Sequence, residues 1–196
     1  MRKPIIAIRP VFALAAFALP AFALLAGCMS MKDATVSLVY TPASIAETPF
    51  VLAVGEFTRT LPEKVAPNMY ETSGYGFGKD ISLSEPIADY LKTAMVQELR
   101  RTGATLRGEP ACTISANLNH MTLVHSGSST LTWGSDVLYR VSAGGESVEV
   151  PAAVTFKTKV ASAEAGHSQF ITQTIDGLLK SPAFATFAAA RCPRRG

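Results

Sequence analysis

Apolar positions along this chain change period several times, and each change marks an element. From Thr35 to Thr41, Val36, Leu38 and Tyr40 alternate onto one face, the period-two pattern of a half-buried strand, which Pro42 closes. After Pro49 the stretch Phe50 to Phe57 is denser, with Val51, Leu52, Ala53 and Val54 in a row, which fits a central strand. Residues 58–81 show no period. Pro62, Pro67 and the cluster Gly74-Tyr75-Gly76-Phe77-Gly78 make them a long loop, and long loops tend to carry function. A helix follows. Ser82 and Glu85 have the spacing of a capping box, and Pro86 falls in the first turn, where its missing N–H costs little. Ile87, Leu91, Ala94, Met95 and Leu99 then share one face, with Asp89, Lys92, Gln97 and Arg100 opposite. Gly103 ends the helix, with Arg100 and Arg101 beside the negative end of its dipole.

Beyond the helix the period returns to two. Ile114, Ala116 and Leu118 share one parity and Met121 and Leu123 the other, so a bulge is predicted near Asn119 and His120. Leu131, Trp133, Val137, Tyr139 and Val141 form the next apolar face. Val148, Val150, Ala152, Val154, Phe156 and Val160 form a third, opposite Glu149, Lys157 and Lys159. Ala143-Gly144-Gly145-Glu146 between them has hairpin chemistry, and Gly127, Ser128 and Ser129 read as another hairpin loop. A second helix is predicted from Ser168 to Leu179. Pro182 interrupts it, and Ala183 to Ala190 add a further turn or two. The order strand, strand, helix, several strands, helix predicts an α+β fold: a mostly antiparallel sheet with two helices packed on one face.

The first residues fit none of this. Met1-Arg2-Lys3 is charged, and an apolar run from Val11 to Gly27 follows, interrupted by Pro20 and too short for a bilayer core, so it reads as an export leader. Arg2, Lys3 and Arg9 carry the whole net charge of +3, leaving 15 Lys and Arg against 15 Asp and Glu in the rest. A neutral domain has no general electrostatic hold on nucleic acid or anionic lipid, so no nucleic-acid partner is expected. At 48% hydrophobic and 17% charged residues, disorder and coiled coil are both unexpected.

The leader closes on Leu25-Ala26-Gly27-Cys28, which resembles the lipobox of bacterial lipoproteins. That resemblance implies a diacylglyceryl thioether on Cys28, cleavage just before it, and acylation of the new amine. Two or three buried chains, at about 0.8 kcal/mol per methylene, would hold the domain to a leaflet. Met29 stands where lipoproteins retained in the inner membrane resemble one another in carrying Asp, which implies the inner leaflet of the outer membrane, facing the periplasm. The division is then a signal peptide over 1–27, a lipidated tether over 28–34, a single periplasmic domain over 35–190 and a flexible tail over 191–196.

Beyond the lipobox, Val39-Tyr40-Thr41-Pro42, the strand Val51-Leu52-Ala53-Val54-Gly55-Glu56-Phe57-Thr58 ending near Arg59, the helix end Glu98-Leu99-Arg100-Arg101-Thr102-Gly103 and the closing Asp176-Gly177-Leu178-Leu179-Lys180-Ser181-Pro182-Ala183-Phe184 together resemble YajG-type bacterial lipoproteins. These are small envelope proteins of no established activity. The chain departs from them in having Thr58, where they tend to be acidic, before Arg59. Related-looking lipoproteins include auxiliary subunits of ABC-type lipid transport. The resemblance implies a non-enzymatic protein that binds another envelope protein, with lipid transport as the alternative.

Candidate chemistry is sparse. Tyr75 and Phe77, two adhesive aromatics in a glycine-rich loop, are candidate partner contacts together with Arg59. The loop lacks the Gly-Lys-Ser/Thr of a phosphate site. Cys112 and Cys192 are a candidate disulfide in an oxidising compartment, and the competing reading, a buried free Cys112 and a stray tail thiol, is slightly favoured. His120 and His125 fall on opposite faces of an unbroken strand, and with His167 they lack the short spacing of a zinc site, so no metal is expected. No nucleophile elbow occurs, and nothing selects a catalytic pair among the acids. Neither a cofactor nor a small-molecule substrate is indicated.

Overall fold

The structure, a computed structural model, describes residues 38–73, 82–106, 112–126 and 129–194. These form six strands and three helices: β1 (Val51–Arg59), β2 (Glu71–Ser73), α1 (Ile87–Arg101), β3 (Thr105–Leu106), β4 (Cys112–Ser126), β5 (Thr130–Ala143), β6 (Glu146–Lys159), α2 (Ala163–Leu179) and α3 (Pro182–Arg191). One sheet runs β3-β1-β4-β5-β6, with β2 also paired to β4. The fold is α+β, as its sequence predicts, but the sheet is mixed and carries three helices rather than two.

The long meander is antiparallel and follows the alternation closely. Along β5 the buried residues are Leu131, Trp133, Ser135, Val137, Tyr139, Val141 and Ala143, each two apart. Gly144 and Gly145, at φ +56° and +85°, turn β5 into β6 in two residues, with Ala143 opposite Glu146. Positive φ at both central positions suits the right-handed twist of the flanking strands. In β4 the register shifts between Leu118 and His120, where the parity of buried residues changes. The predicted bulge is therefore present, and it divides the outer edge of β4. Ahead of it β4 pairs in parallel with β1, and beyond it Thr122, Leu123 and Val124 pair in parallel with β2.

The sheet is thus mostly antiparallel, as expected, with parallel pairs added where β1 meets β3 and β4 and where β2 meets β4. A strand followed by a helix and then another strand is a crossover, and a helical crossover returns the chain in the same direction. β1, α1 and then β3 and β4 follow that course. Helix α1 starts at Ile87 with Pro86 as its cap residue, which makes no side-chain cap bond, so the helix begins later than the predicted cap at Ser82. The amide of Ile87 instead donates to the carbonyl of Pro67 at 3.0 Å.

Helix α2 lies along β6. A Cβ on Gly166 would fall 2.6 Å from Oγ1 of Thr158, and one on Gly177 would fall 2.6 Å from the Cβ of Ala152. The two glycines are eleven positions apart and meet strand residues six apart. Roughly 16 Å of helix thus matches about 20 Å of strand. This close contact closes a core of Leu118, Trp133, Val137, Phe170, Ile171, Ile175 and Leu178.

Two ends of the chain differ from expectation. Residues 38–49 form no strand. They cross the helices as an extended strap whose backbone is held by side chains. The tail is fixed through Arg194: Cys192 is bonded to Cys112 with Cα atoms 5.4 Å apart, Val51 donates to the carbonyl of Pro193 at 2.8 Å, and Arg194 bridges Phe50. Pairing, the less favoured of the two cysteine readings, is what the structure contains. In the chain-entropy picture a link across 80 positions contributes ~4.5 kcal/mol.

Gly177→Ala should destabilise the domain by about 1–3 kcal/mol, because the backbone of α2 must lift from β6. Adding Ala152→Gly should recover most of that loss. Urea unfolding of the two single variants and the double variant measures the coupling, and additive losses would show that this contact does not set the helix position.

Candidate functional site

The built polar centre of the molecule is the seat of the strap. Glu98 lies on the apolar face of α1, one turn after Ala94 and beside Leu99, and is 0% exposed. Its Oε1 accepts from the Tyr40 hydroxyl, from the Ala43 amide at 2.8 Å, from the Ser44 amide at 3.2 Å and from Oγ1 of Thr172 at 3.3 Å. Its Oε2 accepts from the Ser44 amide at 3.1 Å. Every partner is a donor, which suits an acceptor-only carboxylate. Burial, and then the hydrogen bond to Glu98, push the Tyr40 hydroxyl above its ordinary range.

Further bonds extend this seat along α2. The Thr41 amide donates to Oγ of Ser168 at 2.9 Å, and Oγ of Ser44 donates to Asp176 at 2.5 Å. Asp176 also pairs with Lys180 at 2.7 Å, while Nε of Arg101 donates to the Ser44 carbonyl at 3.1 Å. Sequence reasoning missed Glu98, although its spacing from Leu91, Ala94 and Met95 places it on the buried stripe.

Arg59 is turned inward. Its side chain is 4% exposed, and Nη1 donates to the carbonyls of Met69 at 2.6 Å and Pro67 at 3.3 Å. Nη2 lies 3.5 Å from Glu71, which also accepts from the Met121 amide at 3.2 Å and holds His120 at 3.0 Å. Desolvation lowers the Arg59 pKa, and the neighbouring Glu71 opposes that shift. This group fills the gap that the bulge leaves between β1 and β2, so Arg59 serves its own chain and is not a surface contact. Tyr75, Phe77, Cys28 and the residues Leu25, Ala26 and Gly27 lie outside the described residues.

The three histidines are kept apart. His120 is on the surface and His125 lies near the end of β4, while His167 is fully buried among Tyr70, Tyr90, Trp133 and Phe170. Its Nε2 shares a 2.5 Å hydrogen bond with the Tyr70 hydroxyl. Among the described residues Nδ1 has no hydrogen-bond partner, nor have Nε1 of Trp133 and the Tyr90 hydroxyl. Burial holds the His167 pKa down to about 3 and raises that of Tyr90 to about 12, with Glu85 and Glu164 adding to the latter. Among the described residues no three His, Cys, Asp or Glu come together as metal ligands.

On the surface, Val148, Pro182, Ala183, Thr186, Phe187, Ala190 and Arg191 line an open, mainly apolar groove of about 530 Å³ between α3 and β6. Among the described residues no helix is long and apolar enough to cross a membrane.

Glu98→Gln should destabilise the protein by about 2–4 kcal/mol, since an amide cannot accept from all of these donors and the lost charge weakens each bond. Limited proteolysis should then cut within 38–49 before the sheet unfolds. Unchanged unfolding and protection would contradict this role. His167 gives a separate signature. Its folded pKa lies below the unfolded value of about 6.5, so its contribution is complete above pH 6.5 and is lost as pH falls toward 3, at about 1.4 kcal/mol per pH unit. Urea midpoints between pH 7 and pH 4 should show this slope in the native chain and not in His167→Gln.

Comparison with solved structures identifies the architecture. The crystal structure of a Xanthomonas campestris protein whose family model is DUF330 superposes with a TM-score of 0.55 at 13% identity, covering 80% of this chain and 99% of that one. The crystal structure of an uncharacterized protein gives 0.53 at 15% identity, over 76% and 97%. At such identities the likeness is one of fold alone. A minor lipoprotein from Acinetobacter baumannii, 16% identical over 71% of this chain and 96% of that one, reaches only 0.30 and carries no argument. No family model matches the chain, and no curated protein does.

Proposed function

We propose that the chain is a YajG-type envelope lipoprotein, acylated on Cys28 and held at the inner leaflet of the outer membrane, whose periplasmic domain binds another envelope protein without catalysing a reaction. The observation that carries this reading is the bond between Cys112 and Cys192. It suits an oxidising compartment, and in a chain of three cysteines it leaves Cys28, which closes the apolar leader, as the remaining thiol. The strap begins at Leu38, ten residues on, so the folded part can stand no more than about 36 Å from the acylated residue. Confinement to that layer raises the effective concentration of the domain toward partners on the same surface, and localisation is the mechanism.

A second reading, an auxiliary lipoprotein of an ABC-type lipid transport system, is favoured by the groove between α3 and β6. Such a role calls for an apolar groove between helix and sheet.

Cys28→Ser should abolish incorporation of labelled palmitate and leave the leader attached, with the protein absent from the outer-membrane fraction. Unchanged labelling and fractionation would refute the anchoring. Crosslinking in intact cells then separates the two roles: the transport reading requires a transport complex among the products.

A further inference from the structure

The inward side of the strap mixes apolar residues, Leu38 and Ala46 among them, with buried polar ones, while two large aliphatics stand on its outward edge. Tyr40, Ser44, Thr48 and Phe50 point inward, and two of these four are small polar residues, Ser44 at 3% and Thr48 at 0% exposure. Val39, Thr41, Ala43, Ile45, Glu47 and Pro49 point outward, five of the six uncharged. Among the described residues Val39 at 67% and Ile45 at 83% are the most exposed of the large apolar side chains, ahead of Leu61 and Val160. A buried polar group beside an exposed aliphatic is the informative departure from ordinary burial. Neither aliphatic can fold back, because the backbone between them is fixed by Glu98, Ser168 and Asp176.

We propose that the outward edge of the strap is a membrane-contact surface: Val39 and Ile45 enter the leaflet that holds the acyl chains, so the domain rests with its helical layer toward the lipid. This rests on the acylation of Cys28. The occupant is a phospholipid leaflet for two reasons. Val39 is eleven residues from the anchored position, a span of at most about 40 Å, which brings the strap within reach of the leaflet. Basic side chains also lie near Ser44, the neighbour of Ile45: Arg101, which is exposed, donates to the carbonyl of Ser44, and Lys180 pairs with Asp176, which in turn holds Ser44. Such side chains lay their stems on apolar surface and reach headgroup phosphates with their charge, as at other interfacial sites. Glu47 is the one acid on the outward edge, and it lies past Ile45 toward the sheet.

The test uses the mature acylated protein in vesicles of phosphatidylethanolamine and phosphatidylglycerol that contain spin-labelled lipid. With Cys112 and Cys192 bonded and Cys28 acylated, Ile45→Cys supplies one free thiol for an environment-sensitive fluorophore. Thr155→Cys, on the exposed face of β6 away from the helices, is the control. The label at 45 should shift to the blue and lose most of its emission to the spin label, while the label at 155 keeps its aqueous spectrum. If both labels stay aqueous while the protein floats with the vesicles, the anchor stands and the contact surface is overturned. A blue shift at 45 without quenching overturns it too, and points to a protein on the strap. Failure to float removes the anchor and, with it, this proposal.

Discussion

A carboxylate with no access to water must be met by donors, and in this molecule the donors come from a segment without secondary structure of its own. Glu98 would sit uncompensated between α1 and α2 if the strap were absent, at a cost of several kcal/mol. The strap, for its part, has no ladder partner until Phe50, and its amides at Ala43 and Ser44 are satisfied by that carboxylate. Each side makes the other tenable. The helical layer and the N-terminal segment therefore form one unit, and Thr172 on α2 joins them at the same oxygen. What leads into the fold from Cys28 is fixed to the helices before it reaches the sheet.

The sheet shows a comparable dependence around β4. Its bulge rotates the strand so that both halves bury their apolar side chains, and it also opens a gap on the edge shared by β1 and β2. Arg59, Glu71 and His120 fill that gap, with backbone carbonyls of Pro67 and Met69 accepting from Nη1 of the arginine. The inward setting of an arginine that read as a candidate contact thus follows from the geometry of the neighbouring strand.

Strong periodicity was legible and long-range pairing was not. The parity switch between Leu118 and Met121, the two-glycine turn at Gly144 and Gly145 and the apolar faces of α1 and α2 could be read locally, because each depends on the direction of consecutive side chains. Whether β1 runs parallel or antiparallel to β4 depends on what crosses between them. The strand–helix–strand order held that information but was outweighed by the meander that follows. Over its described part, Leu38 to Thr41, the predicted strand does not form, for a different reason. Leu38 and Tyr40 do share one side, yet Ser44 continues that side with a polar group whose amide and hydroxyl bond Glu98 and Asp176 on the helices rather than a neighbouring strand. Glu98 was passed over because hydropathy sends charge outward, even where helical spacing sends it in.

The cysteine pairing shows how little sequence spacing constrains such contacts and how much follows once geometry is known. Cys112 opens β4 and Cys192 follows α3, and the link closes on the sheet edge where β1 begins. The strap enters that edge through Phe50, whose carbonyl accepts from Thr105 while Arg194 bridges Phe50 itself. N-terminal segment, C-terminal tail and the short β3 therefore meet at one corner, which a single covalent bond secures. With acyl chains on Cys28, force on the anchor would reach the domain through the strap, first at Glu98 and then at this corner. A soft linkage there would let the domain fray from its point of attachment. A buried carboxylate and a disulfide placed in series along that path oppose such fraying at the two positions where the load would arrive.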